Sequence, residues 1–290
     1  MTFLNFPEFT SITPATSSLM GVIVSMITLL GLASAARADI EQAPTIAIII
    51  DDMGHSYEQG VELINLPFPL TLSFLPERPF TKRLIEMANF HQKEIMLHSP
   101  MQNSMDYDLG YGGLKKNMPS QDLKQTLIRS FNKINYMVGI NNHMGSILTS
   151  DTQAMQSIME VVSQYPFYFV DSRTSSKSVA ATMARKYNIP NLSRDIFLDH
   201  VQNRAFIQTQ FLKLLDLAKK NGTAIAIGHP HPETIEYLTW ALSKLDEKGI
   251  AIASISGLWQ IRNPQQNLQK ELAKLPAQRT SQIRVADYTH

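Results

Sequence analysis

The sequence predicts an α/β fold, a (β/α) barrel of seven or eight units. Three observations predict it. From Thr45 onward, short apolar runs of strand length alternate with amphipathic stretches of helical period. The connections are short, which favours parallel strands joined by right-handed crossovers. Six of the seven clearest strand candidates end in a polar, ionisable cluster, the pattern of a βα-repeat protein whose site lies at the carboxyl ends of its strands. That many units favour a closed or nearly closed barrel over an open sheet.

The strand candidates are 45–50, 69–74, 94–97, 138–141, 167–170, 191–193, 224–227 and 250–254. The segment at 191–193 is the weakest of them. Helices are expected at 57–65, 80–91, 120–135, 151–164, 176–187, 203–220 and 232–247. Pro119 or Ser120 opens the third helix, and Asp151 with Thr152 opens the fourth. Pro232 suits the first turn of the last, and Gly222 and Gly249 follow helices where left-handed backbone is favoured. Phe206, Ile207, Phe211, Leu214, Leu215 and Ala218 form a helical stripe that reads as core. The longest interruption, 99–119, holds Tyr107, Tyr111, Gly110, Gly112 and Gly113. It reads either as a sugar-contacting lid or as an ordinary surface excursion.

Composition narrows the class. The chain has 290 residues, which fits one large α/β domain or two small ones, and a 44% hydrophobic content, enough for a sizeable core. A net charge of +1 gives no sign of a nucleic-acid partner. The absence of cysteine excludes disulfides, thiolate metal sites and a cysteine nucleophile. Leu19 to Ala36 is apolar and runs into Ala36-Arg37-Ala38, an A-x-A cleavage pattern. No Lys or Arg precedes Arg37, so the usual basic n-region is missing. Residues 1–38 therefore read as a signal peptide or an N-terminal membrane anchor, and the protein as exported and periplasmic. The barrel domain is expected over 45–260, followed by a polar tail at 262–290.

The strand-end clusters carry the chemistry. Asp51 and Asp52 follow five apolar residues, and two adjacent carboxylates repel unless a cation neutralises them. One would then be a ligand and the other a base; the plain alternative is a cap or turn. His98 and His143 each end a strand, and two His with one Asp leave an open position on zinc. His229, in Gly228-His229-Pro230-His231, is the better placed of its pair to act as general acid; His231 reads as supporting or surface. Asp171 and Arg173 end the fifth strand, where an Asp fixes a histidine tautomer and an Arg keeps a carboxylate ionised, unless they form a plain ion pair. Arg194 and Asp195 form a similar pair, and Asp195 competes with Asp51 as base. Asn141 and Asn142 are candidates for orienting groups. Ser99, Ser146 and Ser172 lack the setting of a nucleophile elbow, which disfavours a serine hydrolase.

These motifs resemble the divergent polysaccharide deacetylase family over roughly Thr45 to Gln260. The resemblance rests on Ile50-Asp51-Asp52-Met53-Gly54, Met96-Leu97-His98-Ser99-Pro100-Met101, Asn142-His143-Met144-Gly145-Ser146, Val170-Asp171-Ser172-Arg173-Thr174 and Ile227-Gly228-His229-Pro230-His231. It implies a distorted, deacetylase-like (β/α) barrel, Asp51 as catalytic base and Asp52 as metal ligand. Typical members take two His ligands from one short motif; here His98 matches the first, but Gln102 stands where the second belongs. His143 is the candidate replacement, and His229 matches the late acid motif.

The expected function is a metal-dependent deacetylase of an N-acetylated envelope glycan, of peptidoglycan type. A divalent cation, zinc, is expected on Asp52, His98 and His143, with its bound water as nucleophile, Asp51 as base, His229 as acid, and Asp171 and Arg173 as tuning groups. The alternative is a non-catalytic, deacetylase-like protein that binds glycan or a cell-wall partner.

Overall fold

A computed structural model describes residues 43–264. Residues 1–38, read as a signal peptide or anchor, lie outside the described residues, as does the tail beyond 264. No described helix is long and apolar enough to cross a membrane.

The elements in chain order are β1 (Thr45–Met53), α1 (Tyr57–Asn65), β2 (Thr71–Phe74), α2 (Thr81–Phe90), β3 (Glu94–Met101), α3 (Ser120–Phe131) and β4 (Gly139–Met144). There follow α4 (Thr152–Val162), β5 (Tyr168–Asp171), α5 (Ala180–Lys186), β6 (Asn191–Ser193), β7 (Ile196–Phe197), α6 (Arg204–Asn221) and β8 (Thr223–Gly228). The last are α7 (Pro232–Leu242), β9 (Ala251–Ile252) and α8 (Ile255–Arg262), and two 3-10 turns cover Leu148–Ser150 and Asp246–Lys248. All eight expected strands and all seven expected helices are present. The sequence reading missed β7 and α8, both too short for a clear period.

The strands form one parallel, curled sheet in the order β6-β5-β4-β3-β2-β1-β8-β7, with β9 beside the start of β1. Its two edges are consecutive pieces of one segment. Asn191–Ser193 pairs with β5 and Ile196–Phe197 with β8. Between them, Arg194 N donates to Asp171 O and Asp195 N to Ile225 O. One stretch of backbone thus stitches both edges, giving a distorted (β/α) barrel.

Side-chain alternation sorts the barrel into two cores. Ile46, Ile48, Ile50, Leu97, Ile140 and Phe169 face the helices. Ala47, Ile49, Met96, Tyr168, Val170, Leu192, Ile225 and Ile227 fill the interior with Ile255, Leu258 and Trp259 of α8. Gly139 leaves room for the Tyr168 ring, since a Cβ there would lie 2.3 Å from it.

The helix α8 plugs the amino end of the barrel. Ser254 caps it through Gly257 N. Ile255 N donates to Thr71 Oγ1, Ser256 binds Glu94 through its N–H and its hydroxyl, and Arg262 Nε donates to Thr223 Oγ1. Thr71, Glu94 and Thr223 are the first residues of their strands.

Candidate active site

The apolar interior ends one residue pair before the carboxyl ends of the strands, and polar groups continue the same alternation. Asp51 follows Ala47 and Ile49, His98 follows Met96, Ser172 follows Tyr168 and Val170, Arg194 follows Leu192, and His229 follows Ile225 and Ile227. Asn141 and His143 continue the inward series of β4. These residues meet at a cavity of about 380 Å³ bordered by Asp51, Asp52, His98, His143, Arg173, Arg194 and His229.

Asp52 has the wrong parity to reach this cavity from a regular strand. The register of β1 against β2 shifts between Ile50 and Met53, and Asp52 takes a left-handed φ of 57°. This bulge turns two adjacent carboxylates toward one place. Met144 and Arg173, at φ 53° and 48°, also border the cavity, so three of its non-glycine residues hold unfavourable backbone.

Asn141 organises the base of the site. Its Nδ2 donates to Asp51 Oδ1 at 2.7 Å, and its Oδ1 accepts from Ser73 Oγ at 2.7 Å. The same oxygen lies 2.7 Å from His98 Nδ1. An amide oxygen only accepts, so Nδ1 carries the proton and His98 Nε2 presents its lone pair to the cavity. That nitrogen is 3.2 Å from Asp52 Oδ1 and 3.1 Å from His143 Nδ1, and His143 Nδ1 is 2.9 Å from Asp52 Oδ1. Neither ring aims an N–H at Asp52 Oδ1, which is buried without a hydrogen-bond partner. An orphaned carboxylate oxygen between two imidazole nitrogens is a donor set that fits a divalent cation.

Carboxylates and imidazoles shift one another across this site. Burial alone would raise Asp52, but His143 and His98 hold it far below the usual carboxylate range. Burial works against charge on His98, yet Asp51 and Asp52 raise it overall. Burial lowers His143. Asp51 is raised by burial, against the pull of His98, His229 and the Asn141 bond.

His229 closes the opposite side, its Nε2 4.0 Å from Asp52 Oδ2. Its Nδ1 is 2.9 Å from Asp199 Oδ1, and its backbone N–H and Thr234 Oγ1 both donate to Asp199 Oδ2. Burial pulls His229 down, but Asp199, with Asp51 and Asp52 beyond it, pushes it up to about 9. Asp199 was not among the residues singled out from sequence. It follows the apolar triplet Ile196-Phe197-Leu198, a strand-end signal masked by the shortness of β7.

Two sequence expectations are corrected here. Asp171 does not hold the tautomer of His229. It points out of the barrel interior and accepts from Arg173 N at 2.8 Å and Ser178 Oγ at 2.9 Å, clamping the turn after β5. Asp195 is no rival to Asp51: it accepts from Ile225 N and faces Arg262 at 3.5 Å, toward the amino end. Arg173 borders the cavity, but it is the half-buried Arg194 whose charge couples to Asp51. Gln102 takes no part in the cavity; its Oε1 accepts from Lys116 N in the long loop.

The family model for divergent polysaccharide deacetylases matches residues 48–259. The chain belongs to the divergent polysaccharide deacetylase family. An uncharacterized Escherichia coli protein, YibQ, is 35% identical over 196 residues, covering 68% of this chain and 61% of YibQ. This chain therefore spans less than two thirds of that relative. An uncharacterized protein of Haemophilus influenzae is 34% identical over 215 residues, 74% of this chain and 76% of that one. A crystal structure of an uncharacterized protein from Agrobacterium tumefaciens superposes with a TM-score of 0.72 at 24% identity, over 75% of this chain and 89% of that one, and shares its fold. In this chain the motifs quoted from the sequence all sit at the carboxyl end of the barrel.

Proposed function

We propose that this chain is a metal-dependent deacetylase that hydrolyses N-acetyl groups of a cell-envelope glycan. The observation that carries the reading is the orphaned Asp52 Oδ1, set 2.9 and 3.2 Å from the ring nitrogens of His143 and His98. Asp52, His98 and His143 would hold the cation, zinc by donor type. When bound, such a cation supplies a Lewis acid for the acetyl oxygen and acidifies a water.

The remaining chemistry belongs to the chain itself. Asp51 takes the proton of the attacking water; burial raises its pKa, which suits a base working near neutral pH. Asn141 ties Asp51 to His98, so base and ligand keep a fixed spacing. His229 is protonated at neutral pH and donates from Nε2 to the departing amine, while Asp199 holds Nδ1. Asp171 positions the Arg173 turn rather than the acid. Export to the periplasm is part of the proposal and rests on the apolar segment before Ala36-Arg37-Ala38.

The test is metal content and acetate release from N-acetylated glycan fragments, for the full-length chain beside His98→Ala and His143→Ala. A near-stoichiometric divalent metal lost in both variants, with acetate released only by the wild type, is the expected result. No retained metal after zinc loading and desalting would overturn the ligand set. Retained metal with no acetate from chitooligosaccharide or peptidoglycan fragments would replace the enzyme by a glycan-binding protein.

A further inference from the structure

The cavity has two walls of opposite character. One carries Asp51, Asp52, His98 and His143. The other, built by the turn after β5 and by β6, carries Ser172, Arg173 and Arg194. Arg173 is exposed at the mouth and forms no ion pair with a carboxylate among the described residues. Its backbone is nevertheless held firmly at φ 48°: the N–H donates to Asp171 Oδ1, and the C=O accepts from Arg194 Nη2 at 3.0 Å. Arg194 is itself fixed, with Nε on Ser172 O at 2.7 Å and its guanidinium 5.0 Å from the Phe197 ring centroid. The Arg194 guanidinium is thus held against the Arg173 backbone, and both arginines border the cavity although like charges repel. Immediately before Arg173 in sequence, the buried hydroxyl of Ser172 has no hydrogen-bond partner among the described residues. Arg194 has Asp51 to balance; Arg173 has no such partner.

We infer that the substrate carries an oxyanion, a carboxylate or a phosphate, that is received by Arg173 and Arg194. Guanidinium forks match both anions, and a neutral N-acetylated sugar offers them nothing of comparable strength. The inference rests on reading the cavity as the site that receives an N-acetylated sugar, and makes Arg173 a specificity-determining residue.

Calorimetric titration of the full-length chain with N-acetylglucosamine, N-acetylmuramic acid and N-acetylglucosamine 6-phosphate tests it. The first is neutral, the second adds a carboxylate and the third a phosphate. An anionic sugar should bind at least about tenfold more tightly than the neutral one at low salt. The favoured anion identifies the chemistry as carboxylate or phosphate. Arg173→Gln should abolish the preference and Arg173→Lys should retain part of it, because lysine keeps the charge but not the fork. Equal affinity for all three sugars, or a preference that survives Arg173→Gln, would overturn the inference. Titration reads no turnover, so the two readings fail separately. Anion preference without acetate release removes only the deacetylase reading, and deacetylation without anion preference removes only this one.

Discussion

The two ends of this barrel use similar residues to opposite purposes. At the amino end, Glu94 accepts from Thr71 Oγ1, Tyr168 Oη, and both the N–H and hydroxyl of Ser256. Lys93 beside it donates to the carbonyls of Leu66 and Phe68. At the carboxyl end, Asp52 Oδ1, Ser99 Oγ and Ser172 Oγ are buried without partners. Buried polar groups that are saturated hold a structure together, whereas those left open keep capacity for something that arrives from outside. Satisfaction separates Glu94 from Asp52 Oδ1, although Gln260 Nε2 in the plug is also buried without a partner.

The contrast can be broken by substitution. Asp51→Asn should cut acetate release by about 10²–10⁴-fold, the usual contribution of a general base. Metal content should stay unchanged, and steady-state rates beside metal analysis check both. Loss of metal in this variant would show that the adjacent carboxylates do not divide base and ligand between them. Glu94→Ala should do the reverse: it strands four donors and should cost about 2–4 kcal/mol in denaturant unfolding, with metal binding intact.

Asp199→Asn should lower activity about 10–100-fold, as expected of a group that orients a working histidine. It also carries a pH signature in the chelator-treated chain. His229 rises from 6.5 to about 9 on folding. Its stabilisation is therefore complete below about pH 6.5 and lost as pH climbs through about 9. Melting temperatures across that window should fall less steeply in Asp199→Asn than in the wild type.

The smallest effect sharpens the criterion itself. Asp151 lies on the carboxyl side, yet it is saturated: it caps α4 through Ala154 N at 2.8 Å and meets Lys116 at 3.0 Å. Asp151→Ala should cost about 1 kcal/mol and leave metal content and turnover alone. The Ala154 N–H and then Lys116 hold its carboxyl below the usual range. Its contribution is present above about pH 3.9 and is lost as pH falls through the lower folded value. Unfolding curves of both proteins between neutral and acid pH check this.

Much of the fold was legible because βα units announce themselves by period and punctuation. Asp151 as a cap, Pro232 at a first turn and Gly222 at φ 79° all follow from local chemistry. The site was legible in its strand-end location and less so in its orientation. Counting parity from the interior residues Val170 and Leu192 sends Asp171 and Asp195 outward and Ser172 and Arg194 inward. Asp52 defeats parity through its bulge, and Arg173 through its left-handed turn. Asp199 was hidden because β7 has two residues and leans on β8 for its identity. The plug α8 is similarly tertiary in origin: eight residues with a weak amphipathic pattern become a helix where they fit the barrel floor.

The segment that stitches the two sheet edges has a consequence for how the cavity is built. Residues 191–198 close the barrel, Arg194 lies within them, and Asp199 follows immediately. Its β8 partner must also reach β1, with Thr45 paired to Thr223 across most of the domain's sequence. Contacts of such long sequence separation form slowly. Asp199, which pairs with His229, and the arginine wall are therefore assembled by the same event that completes the barrel. A chain released before that event carries its histidines without the Asp199 contact that raises His229, so a complete site becomes a report on finished folding.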